Sequence, residues 1–115
     1  MALEYQHRIQ GARNFQRVLR EGKAVRGSFF FLRASSNARG ALRFGFLVPS
    51  RVIKKAVERN RIKRTFSEAV RPFLKRKTSG FDIVIGVVRS FDKDALEIQA
   101  LLSELLEKGK IFSKT

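Results

Sequence analysis

The segment RNRIKR, residues 59–64, places four cations in six positions: Arg59, Arg61, Lys63 and Arg64. Arg51, Lys54 and Lys55 precede it, and between residues 51 and 77 eleven cations face two anions, Glu58 and Glu68. On a helix Lys55, Arg59 and Lys63 fall in one row at i, i+4, i+8, and like charges at that spacing cost about 0.2–0.5 kcal/mol per pair. Solvated helix faces usually mix signs, because opposite charges four residues apart support the helix. A row this one-sided is relieved when phosphates lie against it, since each neutralised phosphate releases condensed counterions. Asn60, between two arginines, has an amide that donates and accepts at once. That suits a base edge, a 2′-hydroxyl or a hydrated metal ion, although a surface asparagine with no special role would read the same way.

Other chemistries find few residues. The one histidine, His7, lies near the N-terminus with no obvious partner and reads as an ordinary surface residue. There is no cysteine, so disulfides, thiolate metal sites and a cysteine nucleophile are excluded. Five of the ten acids, Asp92, Asp94, Glu97, Glu104 and Glu107, fall in one C-terminal segment and read as a solvated helix face. No paired carboxylates suggest a general acid and base or a two-metal site. The isolated Asp82 reads as a loop-ending residue or a backbone hydrogen-bonding one. No glycine-rich nucleotide loop is present. The surface points to binding; catalytic side chains are not evident.

The whole composition agrees. A chain of 115 residues that is 43% hydrophobic reads as a single domain with a modest core, too apolar to be disordered. Its net charge of +15 attracts polyanions, either nucleic acid or an anionic membrane. No run approaches the roughly 20 apolar residues that span a bilayer, and the N-terminal residues lack the apolar core of a signal peptide. A cytoplasmic protein with no membrane partner is expected.

The elements that must position these residues follow from periodicity. Residues 1–10 read as an irregular arm. Residues 11–22 read as a helix with Phe15, Val18 and Leu19 on its apolar face, stopped by Gly22 in a left-handed cap. Residues 25–34 and 41–48 read as strands joined by the polar turn 35–40, and are expected to pair as a hairpin. Pro49-Ser50 reads as a helix start, with Ser50 as cap. The helix then runs to about residue 75, with Ile62, Phe66, Ala69, Val70 and Phe73 as its apolar stripe; Pro72 ends or kinks it near residue 71. Residues 75–80 read as a basic loop and 81–88 as a buried strand. A last helix, capped from within 90–94, runs to Lys108 with Ile98, Leu101, Leu102 and Leu105 inward. Together these predict an α+β sandwich. Phe29, Phe30 and Phe31 are consecutive on a strand and so cannot share one face. An aromatic on an open face could stack on an unpaired base, and periodicity does not fix which of the three would do so.

At AVERNRIKR (56–64) the chain resembles the protein subunit of bacterial ribonuclease P, which carries an arginine-asparagine-arginine signature on a basic helix. Here that signature is Arg59-Asn60-Arg61, followed by Lys63-Arg64. The similarity extends through RFGFLVPSRVIKKAVE (43–58), NFQRVLREGK (14–23) and FDIVIGVVR (81–89), nearly the whole chain. It departs where the family usually has two lysines before the helix (Ser50 and Arg51 here), a further arginine (Ser67) and a second first-helix aromatic (Leu19).

The resemblance implies an α/β sandwich with a mainly antiparallel sheet of about four strands, three helices and a left-handed strand–helix–strand crossover. It implies removal of the 5′ leader from precursor tRNA, catalysed by a large RNA subunit using bound Mg2+, with no catalytic side chain from the protein. The implied partners are the ribonuclease P RNA and the precursor tRNA 5′ leader; no small-molecule substrate is implied. By position, Arg59, Asn60, Arg61, Lys63 and Arg64 become RNA contacts close to the metal. Arg51, Lys54 and Lys55 continue that surface, and Phe15, Phe30 and Leu32 line the leader cleft. A ribosomal or ribosome-assembly protein would share the basic helix, and a protein-only nuclease would need a carboxylate cluster that is lacking.

Overall fold

FDIVIGV, the most apolar strand of the chain, lies inside the sheet with a strand hydrogen-bonded on each side. In the computed structural model, which describes residues 3–37, 40–75 and 80–109, the order of elements is α1 (Ala12–Glu21), β1 (Lys23–Arg26), β2 (Phe30–Ser36), β3 (Leu42–Leu47), α2 (Ala56–Val70), β4 (Phe81–Val87) and α3 (Ala95–Lys108). The sheet order is β1-β2-β4-β3. β1 and β4 each pair antiparallel with β2, while β3 and β4 are parallel. The chain is thus α+β with a four-stranded mixed sheet and three helices.

The expected hairpin between the second and third strands does not form: β4 inserts between them. β4 is buried at every position except Phe81, so it belongs where both faces and both edges are covered. β2 instead makes its hairpin with the short β1, Val25 opposite Leu32. Parallel pairing of β3 with β4 needs a long crossover, and α2 lies within it.

Strand alternation divides the sheet into two faces. One carries Phe30, Leu32, Phe44, Ile83 and Ile85, packed with Ile62, Phe66 and Val70 of α2 and Ile98 and Leu102 of α3 in one buried core. The other lies beneath α1, whose Val18 is fully buried. At the outer edge of β3, residues 8 and 9 run alongside: Arg8 bridges Phe44 in parallel and the Ile9 N–H donates to the Phe44 carbonyl at 3.0 Å. The N-terminal arm thereby satisfies backbone groups that an edge strand would leave open. His7 does have a partner, its Nδ1 donating to the Leu42 carbonyl at 3.0 Å.

Two helix ends differ from expectation. α2 begins at Ala56 with Lys55 as N-cap and no side-chain cap bond, so Ser50 does not cap it. Residues 49–53 form a turn instead, the Pro49 carbonyl accepting from the Val52 and Ile53 N–H groups while Ile53 is buried. Gly22 is extended (φ −69°, ψ 148°) rather than left-handed. Glycine is needed there because a Cβ would fall 2.5 Å from the Val18 carbonyl and 3.1 Å from the Ala34 nitrogen. The capping residue of α3 is Asp94, which accepts from the Glu97 N–H while the Glu97 side chain accepts from the Asp94 N–H. α2 ends at Val70 and passes into a 3-10 turn, Arg71–Phe73, that contains Pro72. Most of the basic loop expected over 75–80, and Ala38 and Arg39 of the polar turn, lie outside the described residues.

Candidate nucleic-acid interface

The apolar stripe of α2 faces the core, and the stripe beside it faces a groove. Asn60, Lys63, Arg64 and Ser67 recur at i, i+3, i+4, i+7, one side of a helix, and all four line a groove of about 480 Å³ with Phe15 of α1, Gly45 and Phe46 of β3, and Arg8 of the arm. Gly45 permits its shape: a Cβ there would fall 2.6 Å from Phe15 Cε2. Ser67 is buried and donates to the Lys63 carbonyl at 3.0 Å. One groove therefore brings together a half-buried aromatic, an amide and two exposed cations.

The other expected contacts are distributed differently. Arg51, Lys54 and Lys55 are exposed in and after the turn that precedes α2. Arg59 folds back along its own chain, Nη1 donating to the Ile53 and Lys54 carbonyls at 2.9 and 2.8 Å. Arg61 pairs with Glu58 at 3.0 Å, with 41% and 43% of the two side chains exposed. The hydrogen bond from Arg61, then its charge, holds the Glu58 carboxyl below its ordinary range. So exposed a pair is screened by solvent and leaves Arg61 able to exchange partners.

On the sheet, the side chains of Phe30 and Leu32 lie in the core rather than in the expected leader cleft. They are 2% and 0% exposed, and Phe30 meets Phe66 and Phe91 edge-to-face with centroids 5.3 and 5.1 Å apart. Alternation sends their neighbours Phe31 and Arg33 to the α1 face, where they line a hollow of about 250 Å³ with Leu19, Ala24 and Arg26. Phe31 lies over Gly86, where a Cβ would fall 2.1 Å from its ring. A glycine inside an otherwise β-branched strand is the signal that marks such a close approach.

Beneath α1 sits a cluster that sequence reasoning missed. Asp82 has no exposed surface; it accepts from Arg43 Nε and Nη2 at 2.7 and 2.6 Å, Arg17 Nη2 at 2.9 Å and Asn37 Nδ2 at 2.8 Å. Burial pushes its carboxyl upward. The hydrogen bonds from Arg43 and Asn37, with the charges of Arg43 and Arg17, outweigh that and hold it below its ordinary value. Asp82 thus ties α1 to β3 and β4 rather than ending a loop. An acid in an apolar strand was the available clue; its register with Arg43 came only with the fold.

Among the described residues no three His, Cys, Asp or Glu side chains gather where they could hold a metal ion. The two carboxylates of α2, Glu58 and Glu68, each pair with an arginine, Arg61 and Arg71, and its other exposed polar side chains are ammonium, guanidinium and amide groups, a set that does not fit a Mg2+ ion held by this chain alone. Nor is any described helix long and apolar enough to cross a membrane.

A family model described as Ribonuclease P matches residues 3–110. The ribonuclease P protein component of Clostridium botulinum (strain Loch Maree / Type A3) is 34% identical over 110 residues, covering 94% of this chain and 98% of that one. That of Chloroflexus aurantiacus (strain ATCC 29366 / DSM 635 / J-10-fl) is 38% identical over 81 residues, 70% of this chain, and the match spans 59% of that relative's length. Among solved structures, the RNase P protein of Staphylococcus aureus superposes with a TM-score of 0.83 at 28% identity, covering 93% of this chain and 98% of that one. The RNase P protein of Thermotoga maritima, in complex with 1-(4-fluorophenyl)-2-thiourea, gives 0.76 at 27% identity over 85% of this chain and 96% of that one.

Proposed function

The chain belongs to the ribonuclease P protein family, and from that premise we propose that it is a single RNA-binding domain that assists a catalytic RNA in removing the 5′ leader from precursor tRNA. The observation that carries this reading is the groove joining Phe15 to Asn60, Lys63 and Arg64. Stacking and phosphate neutralisation are the two interactions that single-stranded RNA binding requires, and both are available within one trough.

In this reading Lys63 and Arg64 take backbone phosphates, and Arg61 joins them by exchanging Glu58 for a phosphate. The Asn60 amide bonds a base edge or 2′-hydroxyl, and Phe15 offers a ring to an unpaired leader base. Phe31 and Arg33 extend the leader surface across the sheet in place of Phe30 and Leu32. Arg51, Lys54 and Lys55 continue the contact onto the RNA subunit. Mg2+ is held by the RNA partners, where it supplies the activation of water and stabilisation of the leaving oxygen; no step is assigned to a metal held by this chain. The chain itself contributes binding and orientation, and it acts in the cytoplasm.

The test compares tRNA with and without a leader. Assembled with a bacterial ribonuclease P RNA, the protein should tighten binding of leader-bearing precursor far more than of mature tRNA, and Phe15→Ala should remove most of that difference. Equal tightening of both substrates contradicts the leader assignment.

A further inference from the structure

Arg59 opens the signature, yet its guanidinium is engaged away from the groove stripe of Asn60, Lys63 and Arg64. Its Nη1 spans two carbonyls, Ile53 and Lys54, at 2.9 and 2.8 Å. Both belong to the segment that leads into α2, and that segment carries Arg51, Lys54 and Lys55. Because the N-cap Lys55 makes no side-chain cap bond, no capping side chain fastens the segment to the first turn of the helix. The segment is otherwise organised by the Pro49 carbonyl and by the buried Ile53. A cation near a helix N-terminus is disfavoured by the helix dipole, and charge-assisted bonds to the two carbonyls offset that cost. A Ser or Asp cap would bond helix N–H groups, but an ionised Asp has no donor for these carbonyls and would set a negative charge among the lysines. Arginine's rigid planar head suits the task better than the mobile ammonium of lysine.

We propose that Arg59 is a positioning residue: it fixes the segment 49–55 so that Arg51, Lys54 and Lys55 present their charges to RNA beside α2, and it acts through them rather than by contacting phosphate. This rests on the proposed RNA-binding role of α2.

A double-mutant cycle tests it. Binding of a fluorescently labelled bacterial ribonuclease P RNA is measured at low ionic strength for the full chain, for Arg59→Ala, for the charge-deleted Arg51→Ala/Lys54→Ala/Lys55→Ala segment, and for the two combined. Arg59→Ala should weaken binding about tenfold in the native background and less than about twofold in the charge-deleted one, because coupled residues are non-additive. Arg59→Gln, whose amide can still donate to a carbonyl, should recover part of the loss although it carries no charge. If Arg59→Ala does not fold by circular dichroism, the cycle is run with Arg59→Gln. A full and additive loss in both backgrounds, or no loss in either, overturns the positioning role. Arg64→Ala is the control for the underlying reading: if it too leaves binding unchanged, the groove assignment fails first, whereas a loss at Arg64 with additivity at Arg59 defeats this inference alone.

Discussion

Asp82 and Phe31 illustrate how single residues set the face beneath α1. Asp82 is wholly buried with Arg43, whose side chain is only 10% exposed, and Arg17 reaches the same carboxylate from α1. Removing one partner of a buried pair leaves the other charge uncompensated, at a cost of about 3–5 kcal/mol. Asp82→Asn should therefore lower the unfolding free energy by about that amount at pH 7, measured by urea titration. Because the folded carboxyl lies below its ordinary value, its contribution is full above about pH 4 and is lost as pH falls through the lower folded value. The wild-type protein should lose stability in that acid range, and Asp82→Asn should lack that component. A variant as stable as wild type at pH 7 would contradict the network's role.

The neighbouring phenylalanines divide differently. Phe30 is core and Phe31 is half-buried on the α1 face. Phe30→Ala should cost about 3–5 kcal/mol of stability, whereas Phe31→Ala should cost less stability and weaken leader binding by about 1–3 kcal/mol per unstacked base. Thermal melts and leader-bearing tRNA binding, measured on both variants, check the pair; reversed phenotypes would restore the core residue to the cleft.

At the scale of elements, α2 separates its duties by stripe: Ile62, Phe66, Ala69 and Val70 to the core, Asn60, Lys63, Arg64 and Ser67 to the groove. Each phosphate contacted adds about 0.7–0.9 to the salt slope of binding. Lys63→Ala/Arg64→Ala should then reduce that slope by about 1.4–1.8 in an anisotropy titration, and an unchanged slope would mean the groove side of α2 does not meet phosphate. The 3.6-residue period made the core stripe legible in the sequence, along with Pro72 as the end of the helix and the segment that caps α3. The groove stripe was not, because charge alone picks out the row Lys55, Arg59 and Lys63, whereas Arg59 turns back to the Ile53 and Lys54 carbonyls. Strand order was less legible, because adjacency in sequence favours a β2–β3 hairpin over insertion of β4. The unbroken hydrophobicity of residues 83–87 was the mark of an interior strand. The start of α2 was misread for a related reason: Pro49 and Ser50 have helix-start chemistry, but burial of Ile53 holds the segment in a turn. The alternation that puts Phe30 inward was also present in the sequence. Its phase was not, since it is set by register against β4 (Phe30 opposite Val87, Phe31 opposite Gly86).

For the whole molecule, a net charge of +15 on 115 residues destabilises the compact state by self-repulsion and draws it toward polyanions. The fold meets that repulsion in two ways. Asp82 and its arginines are neutralised internally, whereas Lys54, Lys55, Lys63 and Arg64 stay exposed. The central claim is that this protein lends a phosphate- and base-binding surface to an RNA that performs the hydrolysis. The most direct measurement incubates precursor tRNA with the purified chain alone, with ribonuclease P RNA alone, and with both, at moderate Mg2+. No cleavage by the chain alone is expected, and faster release of the 5′ leader by the pair than by the RNA alone. Leader removal by the RNA-free chain, or no gain on adding the chain to the RNA, would contradict the central claim.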